Sequence, residues 1–396
     1  MDVTTGTATP DEREALYGLG RQAFGADTPY DSDAPTVPDD RVRVARVDGR
    51  AVAKVSMWQF GQWINGASIP MAAVSGVAAS PHVARKGIVR RLLAEALHEA
   101  AEGGELLAAL YPTTATLYRS VGFEMAGTWA KRALPASELW SGVVEGVDVE
   151  PVDPSAVVDD RAAYDRQARG GNGWLDRPDL LLRRHRHDLE LLADKHPVQV
   201  YRAVRDGRTL ALGAFVTRRP TSVAGRLYDL EATQLWGDAD GIRALTSAVA
   251  GLATTCGEVS TLLPRHVLGA LTDHPQHAHV IGELQWMLRL LDVRAALAAR
   301  PTPAFAGDVH LRVHDPLLAA NDGPWVLRHD VGVLRAEPGG RGDVDVAVSD
   351  LAALFTGFQT PHHLASAGRL PGADADALNS LTTAFRAGEP TMVDFF

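Results

Sequence analysis

The most regular apolar pattern in the chain is Ile88, Leu92, Leu93, Ala96, Leu97 and Ala100, spaced three and four residues apart. That spacing predicts a helix over residues 88–101 with one buried face, and Gly103-Gly104 ends it. An apolar run at 72–79 precedes it as a predicted strand, and the connection contains Pro81 and Gly87. Upstream, residues 11–23 predict a helix with Leu16, Leu19 and Phe24 on one side, and 28–40 is an Asp- and Pro-rich loop. Residues 41–47, 51–58 and 61–70 predict three successive strands, the first two joined by a tight turn at Asp48-Gly49. Downstream, a short buried strand at 106–110, a helix at 113–120 stopped by Gly122, and a closing strand at 123–132 complete the segment.

A similar grammar repeats in the next stretch. A helix is expected at 154–169, strands at 199–204 and 209–216 around Asp206-Gly207, and a strand at 226–234 backed by a helix at 240–252. Strand 259–263, helix 265–272 and strand 285–290 close it. Residues 236–242 contain no basic glycine loop, so this copy is expected to lack a phosphate site. The last stretch predicts a helix at 292–300, strands at 309–313, 323–328, 331–335 and 344–349, and late helices at 349–357 and 374–385. It ends in the apolar tail Met392-Val393-Asp394-Phe395-Phe396. Three domains are therefore expected, at 1–140, 141–290 and 291–396, all mixing helix and strand.

Charge changes the picture in one respect. A formal net charge of -10 argues against nucleic acid as a main partner, because a phosphate backbone needs a basic face. It suits cationic small molecules, or simply a soluble acidic surface. The single cysteine, Cys256, excludes an internal disulfide, and no metal is expected, since His185-Arg186-His187 and His362-His363 lack ligand-spaced partners. No leader pattern or apolar run of membrane-spanning length is present, which makes the cytoplasm the expected compartment.

The chemistry concentrates in Val74-Ser75-Gly76-Val77-Ala78-Ala79-Ser80-Pro81-His82-Val83-Ala84-Arg85-Lys86-Gly87-Ile88-Val89-Arg90-Arg91. A buried strand delivers the chain to a glycine turn that opens an amphipathic helix. The first backbone N–H groups of such a helix have no internal partner and carry the positive end of its dipole, which suits a diphosphate. Arg85, Lys86, Arg90 and Arg91 add positive charge within two turns. The stretch resembles the acetyl-CoA loop of GNAT acetyltransferases, whose pattern Arg/Gln-x-x-Gly-x-Gly/Ala is filled here by Ala84-Arg85-Lys86-Gly87-Ile88-Val89. Gly87 keeps the central glycine, while Ala84 and Val89 depart from the pattern at either end.

Together with the Tyr111–Phe123 stretch YPTTATLYRSVGF and the terminal Phe396, this loop makes the whole chain resemble the Eis (enhanced intracellular survival) acetyltransferases of actinobacteria. The resemblance implies two GNAT folds, each a mixed, mostly antiparallel sheet with flanking helices, and a sterol-carrier-protein-like α+β third domain. It implies acetyl-CoA as substrate, held by the backbone of Val77, Ala78 and Ala79, by Arg85, Lys86, Gly87, Ile88, Val89 and Arg90, and by Thr113 and Thr114. Tyr118 is either a core tyrosine packed on Leu117 and Phe123 or the acid that protonates the leaving thiolate, and the resemblance implies the acid. It also implies that the terminal carboxylate of Phe396 accepts the amine's proton, that aminoglycosides are acceptors, and that the protein is a homohexamer. A lipid carrier with a vestigial acyltransferase half, or an acetyltransferase of peptide lysines, remains open. Asp27, Asp31, Asp33 and Asp394 are expected at the surface, with an acceptor pocket as the alternative; Trp58, Trp63 and Trp129 are either core or acceptor-groove residues.

Overall fold

The computed structural model describes residues 3–220 and 226–396. The chain folds into two compact units, one of Met1–Gly127, Asn172–Leu175 and Gln285–Phe396, the other of Thr128–Gly171 and Asp176–Leu284. The first and last thirds of the sequence thus share one unit.

In that first unit, β1 (Val3–Thr7), α1 (Arg13–Phe24), β2 (Val42–Val47), β3 (Arg50–Ile64) and β4 (Ala67–Ala79) lead into α2 (Ile88–Glu102), β5 (Leu107–Leu110), α3 (Ala115–Arg119) and the start of β6 (Glu124–Pro135). The second unit contains β7 (Asp148–Pro151), α4 (Ala156–Asp159) and α5 (Arg161–Gly170). The two-residue β8 (Leu175–Asp176) follows, then α6 (Asp179–Ala193), β9 (Val198–Arg205), β10 (Arg208–Arg218) and β11 (Tyr228–Gly237). It closes with α7 (Ala239–Ala250), β12 (Cys256–Thr261), α8 (Arg265–Gly269) and the first half of β13 (His279–Leu290). The chain re-enters the first unit with the rest of β13, α9 (Val293–Ala299), β14 (Val309–His314), β15 (Gly323–Asp330), β16 (Val333–Pro338), β17 (Val344–Ala347), α10 (Val348–Phe355), α11 (Pro361–Ser366) and α12 (Ala375–Ala384).

The order in the first unit's larger sheet is β1-β2-β3-β4-β5-β13, antiparallel except for the β4–β5 pair. In the second unit the order is β6-β12-β11-β10-β9-β7, with β11–β12 the parallel pair. The late strands form a separate sheet, β16-β15-β14-β17. The α2 stripe buries as the sequence predicts: Leu92, Leu93, Ala96, Leu97 and Ala100 are fully inaccessible and pack with Val55, Met57, Val74 and Leu110. Each buried leucine contributes about 1.5–3 kcal/mol.

Three sequence expectations need correction. Residues 51–70 form no break at Gly61; β3 runs on to Ile64, with Gly61 opposite Pro70, and the hairpin turns at Asn65-Gly66. Asn65 (φ 49) and Gly66 (φ 88) adopt the left-handed pair of a two-residue hairpin, an Asn-Gly signal stronger than the glycine at 61. The helix expected at 154–169 is split into α4 and α5. β1, α6 and α11 lie where the sequence pattern predicts no element; α6 buries only Leu181, Leu182 and Leu189, so its stripe is narrow.

Two arginine clusters, the first of them fully buried, hold the late segment against α3. Arg289 is fully buried, donates to both carboxylate oxygens of Asp315 at 2.7 and 2.8 Å, and also donates to the Val121 carbonyl just beyond α3. Gly122 (φ +90) is required there, because a Cβ would collide with that guanidinium. Glu124 receives Arg119 and Arg369, each at 2.7 Å, and Arg369 also meets Asp350 on α10.

Candidate active site

A parting of strands creates the site. The β4–β5 ladder runs only from Met71 opposite Leu107 to Ala73 opposite Ala109. Beyond it, residues 74–79 keep β3 on one edge and, among the described residues, have no strand on the other. One wall of this notch is therefore a strand edge, at Val77, Ala78 and Ala79, with no described strand paired to it. The other wall is the chain leaving β5: Tyr111, then Thr113 and Thr114, both exposed, then α3. A linear amide chain laid in the notch can bond to the β4 edge as an added strand would.

The turn into α2 is open at the same end of β4. Gly87 takes φ +75 at the helix N-cap, no side chain caps the helix, and the space a Cβ would occupy has no atom within 4 Å. Arg91 N–H is the first to close a helical bond, to the Gly87 carbonyl at 3.0 Å. The amides of Ile88, Val89 and Arg90 precede it and have no carbonyl one turn back. Arg85, also left-handed at φ 60, is exposed with Lys86, Gly87 and Arg90. Glycine is needed at 87 for its backbone angle and leaves the surface clear for a large anion.

Tyr118 and the terminal Phe396 both lie on the Tyr111 and α3 side, Phe396 against the Tyr111 ring. Tyr118 is buried on α3 with its ring edge-on to Phe123 at 6.2 Å. Burial raises its pKa above the ordinary phenol value, and the neighbouring Thr113 side chain works the other way. The Phe123 contact matches the core-packing reading of Tyr118, and the Thr113 side chain lies beside its phenol.

The chain terminus is docked. Thr391 N–H bonds to the Asn172 carbonyl at 2.8 Å, Met392 and Asp394 are buried, and Tyr111 Oη donates to the Asp394 carbonyl at 2.7 Å. The Phe395 ring lies 4.7 Å from that of Tyr111, and the Phe396 ring lies 5.6 Å from both Tyr111 and Phe60. Burial, and secondarily the charge of Asp394, hold the Tyr111 hydroxyl protonated well past its usual range.

The sequence-derived residues thus collect around one notch within one unit: Val77, Ala78, Ala79, the turn at 85–90, Thr113, Thr114, Tyr118 and Phe396. Asp394 is buried rather than on the surface, because Tyr111 pins the tail inward. Trp58 is buried and stacks on Phe60 at 5.8 Å, beside the tail. Asp27, Asp31 and Asp33 lie in an exposed loop. Sequence reasoning missed Tyr111 as the clasp of the tail, and it missed Lys54 and Ser56. Their only signal was alternation along β3, which puts polar tips on the face opposite α2.

Comparisons with known proteins bear on the family and the fold. Residues 5–126 match the acetyltransferase (GNAT) domain family and residues 293–393 the sterol carrier protein domain family. An uncharacterized N-acetyltransferase of Streptomyces griseus is 26% identical over 434 residues, covering 100% of both chains. A GCN5-related N-acetyltransferase from Anabaena variabilis superposes with a TM-score of 0.90 at 24% identity, and Eis1 from Mycobacterium abscessus with 0.84 at 22%, each covering 100% of both chains. At that identity the two structures speak to fold.

Proposed function

We propose that this chain, a GNAT-type acetyltransferase with the fold of Eis proteins, carries the acetyl group of acetyl-CoA to a primary amine by direct attack in the β4–β5 notch. The observation that carries the reading is the uncapped, exposed start of α2 at the end of a strand whose far edge is unpaired. The diphosphate of CoA is assigned to the amides of residues 88–90 with Arg85, Lys86 and Arg90 around it. The pantetheine arm is assigned to the backbone of Val77, Ala78 and Ala79, with Thr113 and Thr114 opposite.

In this reading the neutral amine attacks the thioester carbonyl, the new C–N bond forms, and the C–S bond breaks. Tyr118 gives its proton to the departing thiolate, a role its raised pKa suits because the phenol stays protonated across neutral pH. The Phe396 carboxylate, with a reference pKa of about 3.5, is ionised and accepts the amine's proton directly or through water. Docking of the tail by Tyr111 supports that role over a frayed end. Amine-rich acceptors, aminoglycosides among them, follow from the family resemblance.

The test is thiol release from acetyl-CoA across a panel of aminoglycosides, simple amines and lysine peptides. Turnover with one acceptor class, abolished by deleting Phe396 while acetyl-CoA affinity stays within about twofold, is the expected result. No acetyl-CoA binding at high micromolar concentration overturns the transferase reading and leaves the carrier reading.

A further inference from the structure

Lys54, across β4 from the notch, is not used by the reaction above. The chain holds four lysines, Lys54, Lys86, Lys131 and Lys195, among 39 Lys and Arg residues. Where arginine is so dominant, a lysine in the interior marks a place that takes a compact ammonium and not a guanidinium fork. Lys54 sits on β3 opposite Ala78.

Its side chain lies on the face of β3 opposite α2. Ala53, Val55 and Met57 pack into the core with α2, while the alternate positions Lys54, Ser56, Trp58 and Phe60 face the other way. The tail is on that same face, since the Phe60 ring meets the Phe396 ring. Helix α1 also covers it: a Cβ on Gly20 would lie 3.5 Å from Lys54 Nζ.

The ammonium is aimed at a bulge in β4. Between the Lys54–Ala78 and Ser56–Ser75 pairs, β4 has one residue too many, and Gly76 takes φ +56 there. A Cβ on Gly76 would lie 3.5 Å from Ser56 Oγ and 3.6 Å from Lys54 Nζ. A cation and a hydroxyl thus converge on a backbone stripped of side chain, one residue before Val77. Lys54 has no hydrogen bond or ion pair with any described residue. Burial without a carboxylate is unfavourable for an ammonium and pulls its pKa down. An ammonium left without a counter-ion in a half-buried slot is stabilised by an anion placed beside it.

We propose that Lys54, with Ser56, recognises an anionic group on the acceptor, so that the natural acceptor is an amine that also bears a carboxylate. This rests on the notch being the acetyl-transfer centre. In this proposal the Phe396 carboxylate receives the amine and Lys54 receives the carboxylate. The aminoglycoside class narrows accordingly, because a polycation without a carboxylate leaves Lys54 unpaired.

Matched acceptors test it: lysine against 1,5-diaminopentane, ornithine against 1,4-diaminobutane, and β-alanine against propylamine, with an aminoglycoside alongside. Binding to the protein saturated with CoA is measured by calorimetry, and turnover by thiol release. Wild type should favour the carboxylate partner at least tenfold in Kd or kcat/KM, and Lys54→Met should erase that preference while changing the plain diamines less than twofold. Lys54→Gln, nearer in polarity, guards against a folding defect and should behave like Lys54→Met; both are checked by thermal unfolding. Equal preference in wild type, no carboxylate-dependent binding at 10 mM, or an equal loss for all acceptors in folded variants overturns the proposal. Carboxylate-dependent binding without thiol release would instead sink the transferase reading and keep Lys54 as an anion site.

Discussion

Two strand–turn–helix corners of this chain are built to the same plan and differ in what their turns expose. In the first, β4 ends at Ala79, the chain turns at an open Gly87, and α2 begins without a side-chain cap. In the second, β11 ends at Gly237 and α7 begins at once, behind Asp238 and with Asp240 in its first turn. Those carboxylates are already matched: Asp238 takes Arg166 at 3.1 Å and Arg208 at 3.5 Å, and Asp240 takes Arg205 at 3.0 Å. A Cβ on Gly237 would lie 2.2 Å from the Leu210 carbonyl, so this turn is pressed onto β10. The same helix dipole that invites a diphosphate at α2 is here met by the chain's own acids. No side chain caps either helix, so the corners differ in what surrounds the amides: an exposed basic turn at α2, two aspartates and a tight glycine at α7.

The contrast extends one element further. In both corners a strand, β5 or β12, runs parallel to the preceding one and leads to a five-residue helix. The fourth residue of that helix is buried in each case, Tyr118 in α3 and Leu268 in α8, and its carbonyl accepts from the residue three further on, Val121 or Leu271. One position carries a proton donor and the other a packing residue. Tyr118→Phe therefore makes the first corner chemically like the second, and it is the largest effect expected: a fall in kcat of about 10²–10⁴-fold with acetyl-CoA affinity unchanged. Because burial raises the Tyr118 pKa, wild-type kcat should hold into the alkaline range, with any loss of the acid lying above about pH 10. A Tyr118→Phe enzyme with full activity would reduce the difference between the corners to packing.

Next in size is a change of stability confined to the closed corner. Gly237→Ala forces a side chain into the Leu210 backbone at φ +135 and should destabilise by about 2–4 kcal/mol in urea unfolding. Acetyl-CoA affinity should stay within about twofold. If affinity fell with stability, the second corner would be taking part in cofactor binding, against the comparison.

Much of this contrast is legible in the amino-acid sequence. The Gly87 turn and the α2 stripe are local, so spacing and residue type reveal them, as does the absence of basic residues at 236–242. The sealing of the second corner is not legible, because Asp238 and Asp240 are neutralised by arginines 30 to 72 residues away in sequence. The hairpin at Asn65-Gly66 carries its own local signal, with which the glycine at 61 competes. The clasp of Tyr111 on Asp394 spans 283 residues and leaves no periodic trace. Lys54 is invisible for a related reason, since only the bulge at Gly76 makes its position special.

The third effect is on affinity at the open corner. Gly87→Asp places at α2 the kind of carboxylate that stands ahead of α7. Aspartate tolerates a left-handed backbone better than most residues, so the fold should survive. Its charge beside the α2 amides should raise the acetyl-CoA Kd about 100-fold, roughly 2.7 kcal/mol. The reverse exchange, Asp238→Ala with Asp240→Ala, should create no second site, because Gly237 remains against Leu210, and calorimetric stoichiometry should stay at one.

The smallest effect divides the open corner's affinity between backbone and side chains. Arg85 is exposed and long, so its interaction with a diphosphate is screened by water and salt and resembles a surface ion pair, about 0.2–1 kcal/mol. Arg85→Ala should therefore weaken acetyl-CoA by no more than about fivefold in dilute buffer, and the difference should shrink toward zero in about 0.5 M salt. The amides of residues 88–90 are fixed by the helix and lose no conformational freedom on binding, so their share should persist in salt. If Arg85→Ala instead cost as much as Gly87→Asp, affinity would reside in the guanidinium. The two corners would then differ by their arginines, and the unclaimed amides of α2 would be incidental.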